Sequence, residues 1–304
     1  GDAVYKRLQI QNDDLNPSLN PGALYFCEVV YIVTDEWPEQ RSNNGSWRRF
    51  NIGSLSGGGY NLAFTGSTNW QQYAIHAWSA NDPAVTLVNV DTGHDGSATG
   101  GDGGYIVGSK VTDNGDGTWD YEYAVYNANS HRSARGLNLP VNCQVDVTNI
   151  GFRDVPYHSG EPYDGADWTV ENTGGVLSWS TETFEQNASA NALRWSTLYN
   201  FRFTANTPPT STTASLDLFR PGPQGSPDAL TFAVPGPSDP VCIANWNNDK
   251  VTNSTDVSDF INEWFVDQSK ETTGTDVNCD GVSNSTDVSD FVNLWFEAIE
   301  SGCV

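Results

Sequence analysis

The stretch Trp119-Asp-Tyr-Glu-Tyr-Ala-Val-Tyr126 puts Trp119, Tyr121, Tyr123 and Val125 on one face and Asp120 and Glu122 on the other. A period of two with one apolar face marks a half-buried antiparallel strand. It follows Asn114-Gly-Asp-Gly117, a turn signal in which glycine supplies positive φ. Outward from it, short runs rich in Val, Ile, Tyr, Phe and Trp recur between Gly, Asn and Asp clusters. They cover residues 24–33, 47–52, 61–64, 73–78, 85–90, 105–111, 145–152, 176–179, 198–203, 214–219 and 230–234. About a dozen short strands, with no long helix between them and no βαβ alternation, predict an all-β fold. The expected architecture is an antiparallel β-sandwich over residues 1–235.

Composition narrows the function classes. The 304 residues carry 38 Asp and Glu against 14 Lys and Arg, a net charge of −24. Such a chain repels phosphate backbones and anionic lipid, which argues against nucleic-acid binding and membrane docking. No apolar run is long enough for a membrane span. Aromatic residues make up 12% and can fill a large core. Residue 1 is Gly, Met is absent and five Cys are present. These features predict a removed secretory signal and an extracellular or cell-surface location.

Pro235-Gly-Pro-Ser-Asp-Pro240 reads as a linker, set at 236–241, and the period changes beyond it. Val257, Phe260, Ile261, Trp264 and Phe265 share one face of a helix. Val288, Phe291, Val292, Trp295, Phe296 and Ile299 repeat that spacing 31 residues later. The copies read NSTDVSDFINEWF (253–265) and NSTDVSDFVNLWF (284–296), identical at eleven of thirteen positions. Residues 242–304 are therefore an internal duplication.

Each helix is preceded by a stretch with the spacing of a twelve-residue Ca²⁺ loop. In the second copy, oxygen-bearing side chains fall at loop positions 1, 3, 5, 9 and 12: Asp276, Asn278, Asp280, Asn284 and Asp287. Val282 at position 7 offers its carbonyl, and Gly281 at position 6 permits the sharp turn. A hard cation takes six to eight oxygens, and this spacing wraps them around one centre. The metal-free alternative is an acidic turn capping a helix. The first copy is weaker. Asn247, Asp249, Asn253 and Asp256 remain, with the Val251 carbonyl, but position 1 is the neutral Asn245 and position 6 is Lys250. Lys250 demands an unusual backbone angle or a relaxed turn. The alternative here is a metal-free relic of the duplication.

These residues resemble the dockerin domain of bacterial extracellular proteins, in which two such loops are each followed by one helix. The resemblance covers residues 242–304. It implies an EF-hand-like α-helical module that binds calcium and attaches to a partner. Ser254-Thr255 and Ser285-Thr286 sit where dockerins of the cellulosome type contact a cohesin. It also implies that the module's ends lie close, so that Cys242 and Cys303 can form a clasp. Cys27 and Cys143 either bridge within the sandwich or are small buried hydrophobes, and Cys279 is then the odd thiol. Asn-X-Ser/Thr sequons at Asn44, Asn187, Asn253 and Asn284 allow glycosylation, the last two only if metal is absent.

Catalytic signatures are missing: there is no Gly-x-Ser-x-Gly elbow and no His-Glu-x-x-His helix. Glu161, Asp164 and Asp167 in the loop 158–168 offer acid and base for glycoside hydrolysis, but an acidic surface produces such trios by accident. His76 reads as a sheet residue, and His94-Asp95 opens a Gly-rich hairpin connection. Trp70, Trp78, Trp168, Trp179 and Trp195 are either core or a sugar-stacking platform. Together these readings predict a secreted, non-catalytic structural or self-assembling protein, a filament or surface-layer subunit, with a calcium-braced attachment module. The alternatives are a carbohydrate-binding protein or a glycoside hydrolase carried to a cohesin-bearing scaffold. Tyr5–Gln11 reads as a strand on a Pro-punctuated tether (12–21), suited to exchange between copies or to pairing within its own sandwich.

Overall fold

The computed structural model describes residues 8–31, 43–91, 94–97, 100–101, 103–156, 158, 160–239, 242–247 and 249–301. From the N-terminus, α1 (Asn12–Leu15) precedes β1 (Tyr25–Val30), β2 (Gly45–Ser56), β3 (Gly59–Phe64) and β4 (Asn69–Trp70). Next come α2 (His76–Asn81), β5 (Thr86–Asp91), β6 (His94–Ser97), β7 (Gly100–Gly101), β8 (Gly104–Asp113) and β9 (Trp119–Asn127). β10 (Ala134–Pro140), β11 (Val147–Arg153), β12 (Thr169–Thr173), β13 (Val176–Ser180), β14 (Leu198–Ala205), β15 (Pro209–Leu218) and β16 (Ala229–Pro237) follow. Two longer helices, α3 (Ser254–Lys270) and α4 (Ser285–Ser301), end the described chain.

Among the described residues the protein is mostly β, and its sheets are antiparallel. One five-stranded sheet has the order β12-β13-β10-β15-β16, the other β11-β14-β9-β8-β5. They share one core, to which Leu137, Leu177, Trp179, Leu216 and Phe232 come from the first sheet and Tyr121, Tyr123, Val125, Phe201 and Phe203 from the second. Trp179 meets Phe201 edge-on at 5.5 Å between ring centroids. This is the arrangement of a sandwich. β9 alternates as expected up to Tyr123, but Ala124 and Tyr126 on its outer face are buried as well. Tyr73, Ile75 and Ile106 pack over them and form a second, smaller core.

That outer layer contains the main departures from the sequence reading. Residues 73–78 were expected as a strand, and Tyr73, Ile75 and Ala77 are indeed buried alternately. The backbone turns instead, with His76 N–H donating to the Tyr73 carbonyl at 3.0 Å and Ala77 N–H to the Ala74 carbonyl at 2.9 Å, and leads into α2. β1 to β4 make a separate four-stranded sheet. It is tied to the sandwich by Glu28, which accepts from Tyr126 Oη and from Ala74 N–H. Burial pushes the Glu28 carboxyl above its ordinary value, against the pull of these hydrogen bonds.

Part of the stretch expected as a linker is strand. Pro235, Gly236 and Pro237 belong to β16, in register with Ser211, Thr210 and Pro209. β16 is an edge strand, where a missing N–H costs no ladder bond on the open side. Strand β12, which the sequence did not signal, is exposed throughout and so has no apolar alternation to read. Leu8–Gln11, the described part of the expected N-terminal strand, forms no strand, and residues 5–7 lie outside the described residues. No helix among the described residues is long and apolar enough to cross a membrane.

Candidate metal centre

The two repeats meet through the same residue of each. Phe260 and Phe291 are fully buried and stack with centroids 4.0 Å apart and planes 1° from parallel. Trp246 stands edge-on to both, at 4.8 and 5.7 Å. The tryptophans one turn further along cross-link the repeats. Trp264 Nε1 donates to the Asn284 carbonyl at 2.9 Å, and Trp295 Nε1 to the Asn253 carbonyl at 2.8 Å. Each helix thus holds position 9 of the other repeat's loop. The sequence marks both tryptophans only as apolar-face residues. Asp267, at the end of α3, accepts from Thr272 and Thr275. Burial works to raise its carboxyl, but these hydrogen bonds outweigh burial and hold it below its ordinary value.

In the second loop the side chains at positions 1, 3, 5 and 12 each accept a hydrogen bond from main chain. Asp276 accepts from Asp280 N–H (3.1 Å) and Gly281 N–H (2.8 Å). Asn278 accepts from Asp280 N–H (3.0 Å), and Asp280 from Val282 N–H (2.9 Å). Asp287 is fully buried and reaches back to Val277 N–H (3.0 Å) and Asn284 N–H (2.8 Å). These bonds tie the side chains at positions 1, 3, 5 and 12 to main chain of the same loop. Among the described residues no three His, Cys, Asp or Glu side chains converge into a metal-holding group.

The first loop repeats the pattern. Asn247 accepts from Asp249 N–H (3.1 Å), Asp249 from Val251 N–H (2.8 Å), and Asp256 from Asn253 N–H (2.8 Å). Asn253 and Asp256 form a capping box on α3. The loops differ at positions 1 and 6. Asn245 Oδ1 is buried and has no hydrogen-bond partner, whereas its counterpart Asp276 accepts two bonds. An orphaned buried oxygen at position 1 fits a cation ligand, so this loop's donor set suits calcium as well. Lys250 takes φ +70°, the conformation Gly281 adopts at +85°. A side chain held there costs on the order of 1 kcal/mol. Lys250→Gly should therefore raise the module's melting midpoint in calcium and tighten the weaker site. Calorimetry and calcium titration check this, and a lowered midpoint would contradict it.

Cys143 and Cys279 depart from the expectation. Cys143 is bonded to Cys279 (S–S 2.09 Å), and Cys27 is free. Cys27 lies on β1 in the separate sheet, whereas Cys143 sits in the turn before β11, at the end of the sandwich that faces the module. Cys279 occupies loop position 4, which ligates nothing and can face a neighbour. Gln144 Nε2 adds a hydrogen bond to the Asp276 carbonyl at 3.0 Å. The second loop is thus fastened to the sandwich at positions 1 and 4. Cys242 is disulfide-bonded; Cys303 lies outside the described residues.

The other candidates separate. Trp168 and Trp179 are buried in the core, Trp78 is half-buried, and only Trp70 and Trp195 are substantially exposed, so the five form no common platform. In the 158–168 loop, Asp164 accepts from Asn187 Nδ2 at 2.9 Å and from Ala166 N–H at 3.3 Å. His158 contacts Asn191, which also binds Asp154, Tyr199 and the Ala166 carbonyl. Burial lowers the His158 imidazole and raises the Asp154 carboxyl. The network is satisfied internally and holds the loop on the core. Asn253 and Asn284 spend their side-chain oxygens on the N–H groups of Thr255 and Thr286. His76 lies on α2 rather than in a strand, and β6 and β7 make the Gly-rich ribbon a hairpin. Comparison with known proteins finds no matching family model, no matching curated relative and no matching solved structure.

Proposed function

We propose that this is a secreted, non-catalytic structural protein of the cell surface or of a filament, whose dockerin-type pair of EF-hand-like loops is braced by calcium and carries the attachment surface. The observation that supports it most is the charge of the module. Residues 242–304 hold 12 acidic and 2 basic residues, a net of −10. Asp256, Asp276 and Asp287 are buried there, and among the described residues no ion pair reaches them. Buried carboxylates without a cation are costly, and calcium supplies the missing charge. Asn245, Asn247, Asp249, Val251, Asn253 and Asp256 would hold one ion; Asp276, Asn278, Asp280, Val282, Asn284 and Asp287 would hold the other.

The attachment surface follows from what the paired helices leave outside. Ser254, Thr255, Ser285 and Thr286 are exposed on the first turns. Phe265 and Phe296, equivalent in the repeat, are 62% and 55% exposed. A cohesin-like partner or a second copy would cover these rings. At the other end Leu8 is 84% exposed, which suits exchange of the N-terminal segment between copies. Negative-stain microscopy of the intact protein in calcium is the test. Polymers that vanish when residues 1–11 are deleted, with circular dichroism unchanged, support assembly; single particles under all conditions refute it.

A further inference from the structure

Among the described residues, one face of the four-stranded sheet is only half covered. Alternation along β2 puts Trp47, Arg49 and Asn51 on that face. Register adds Phe26 opposite Arg49 and Asn69 opposite Trp47. Glu28, opposite Trp47 on β1, draws one end of this face onto Ala74 and Tyr126. The other end stays open as a cleft of about 550 Å³, closed on one side by Ala80 and Asn81 at the end of α2. That volume lies within the roughly 300–1,000 Å³ of small-ligand sites.

The lining is chemically selective. In a chain with 38 acidic residues, none of the described residues lining this cleft is Asp or Glu. Trp47 is 6% exposed, packs edge-on against Phe26 at 5.3 Å, and its buried indole N–H has no acceptor. Arg49, Asn51 and Asn69 make no side-chain hydrogen bond or ion pair among the described residues. Thr65 and Ser67 add hydroxyls at the rim. The cleft therefore combines an aromatic wall with unengaged amides and a guanidinium fork.

From this lining we infer that the cleft binds a neutral oligosaccharide. A carboxamide offers a donor and an acceptor side by side, which matches the adjacent hydroxyls of a pyranose. The fork of Arg49 can donate to two neighbouring hydroxyls, and Phe26 can cover the apolar face of a ring. A phosphate ligand fits poorly, because one arginine faces the field of a protein with net charge −24. A peptide strand fits poorly too, because the cleft lies on a sheet face rather than along an unpaired edge. This site is independent of the calcium module.

Isothermal titration of the full chain with β-1,4-linked glucose, xylose and mannose tetrasaccharides, and with a uronate tetrasaccharide, tests the assignment. At least one neutral probe should bind, and Arg49→Ala and Asn69→Ala should each weaken it tenfold or more with melting unchanged. Asn51→Ala provides a third, independent variant should either of the others fail to fold. Binding of the uronate alone, binding of none of the neutral probes, or affinity unaltered in every folded variant overturns it.

Discussion

Chelating calcium from the intact protein should abolish most of its helical circular dichroism while its β signal persists. Helices α3 and α4 are 17 residues each, against four and six for α1 and α2, so the helical signal reports the module. Among the described residues, the module's apolar core cluster has Phe260, Val277 and Phe291 as its buried members, with partly buried side chains around them. That core must offset the mutual repulsion of a segment with net charge −10. A cation bound only by the folded form adds about 2.7 kcal/mol at a hundredfold excess over its dissociation constant. Asp287→Ala should reproduce the effect of chelation, because it removes position 12 and the anchors of Val277 and Asn284 together. Asp290→Ala, which removes only an exposed contact with Asn278, should cost much less. If chelator leaves both helicity and melting unchanged, the calcium reading is wrong. The sandwich keeps its fold in either case, since its core lies between its own two sheets.

Replacing Cys143 and Cys279 with serine should split one thermal transition into two and weaken calcium binding at the second loop. In the native protein, module and sandwich are joined by this disulfide as well as by the chain. With the sandwich folded, the closing loop is the stretch of about 40 residues from Asp239 to Cys279, for which chain entropy gives about 4 kcal/mol. That is a large share of what a 60-residue module can muster. The bond also holds loop position 4, where Cys279 takes φ +61°, next to the Gln144–Asp276 hydrogen bond. Without it, the loop must order itself when the ion arrives, and affinity falls. The first loop should be affected much less. Scanning calorimetry with and without calcium reads both effects. A variant that melts in one transition at the native temperature would show that the bridge carries no stability.

Some of this was legible in the chain because it depends on neighbours in sequence. Alternation across Trp119–Tyr126 and the other strand runs marks the sandwich, since a strand that faces a core on one side must repeat every two residues. The duplication at 253–265 and 284–296 shows two equivalent helices, and the spacing of Asp and Asn before them marks the loops. Even the strain at Lys250 follows from its place in the turn, and it appears as φ +70°.

Other features were decided only in three dimensions. Tyr73, Ile75 and Ala77 are buried alternately in a segment that turns into a helix, because a lid over Ala124 and Tyr126 can present the same pattern as a strand. Pro235 and Pro237 look like a linker but end an edge strand, because whether a missing N–H matters depends on which side is open. Cys143 and Cys279 are 136 residues apart, and nothing local distinguishes that pairing from Cys27 with Cys143. The cleft beside Trp47 likewise exists only where α2 stops short of covering the sheet. Periodicity and spacing are local quantities and are written in the chain; which surfaces meet is set by how the sheets stack and where the outer layer ends.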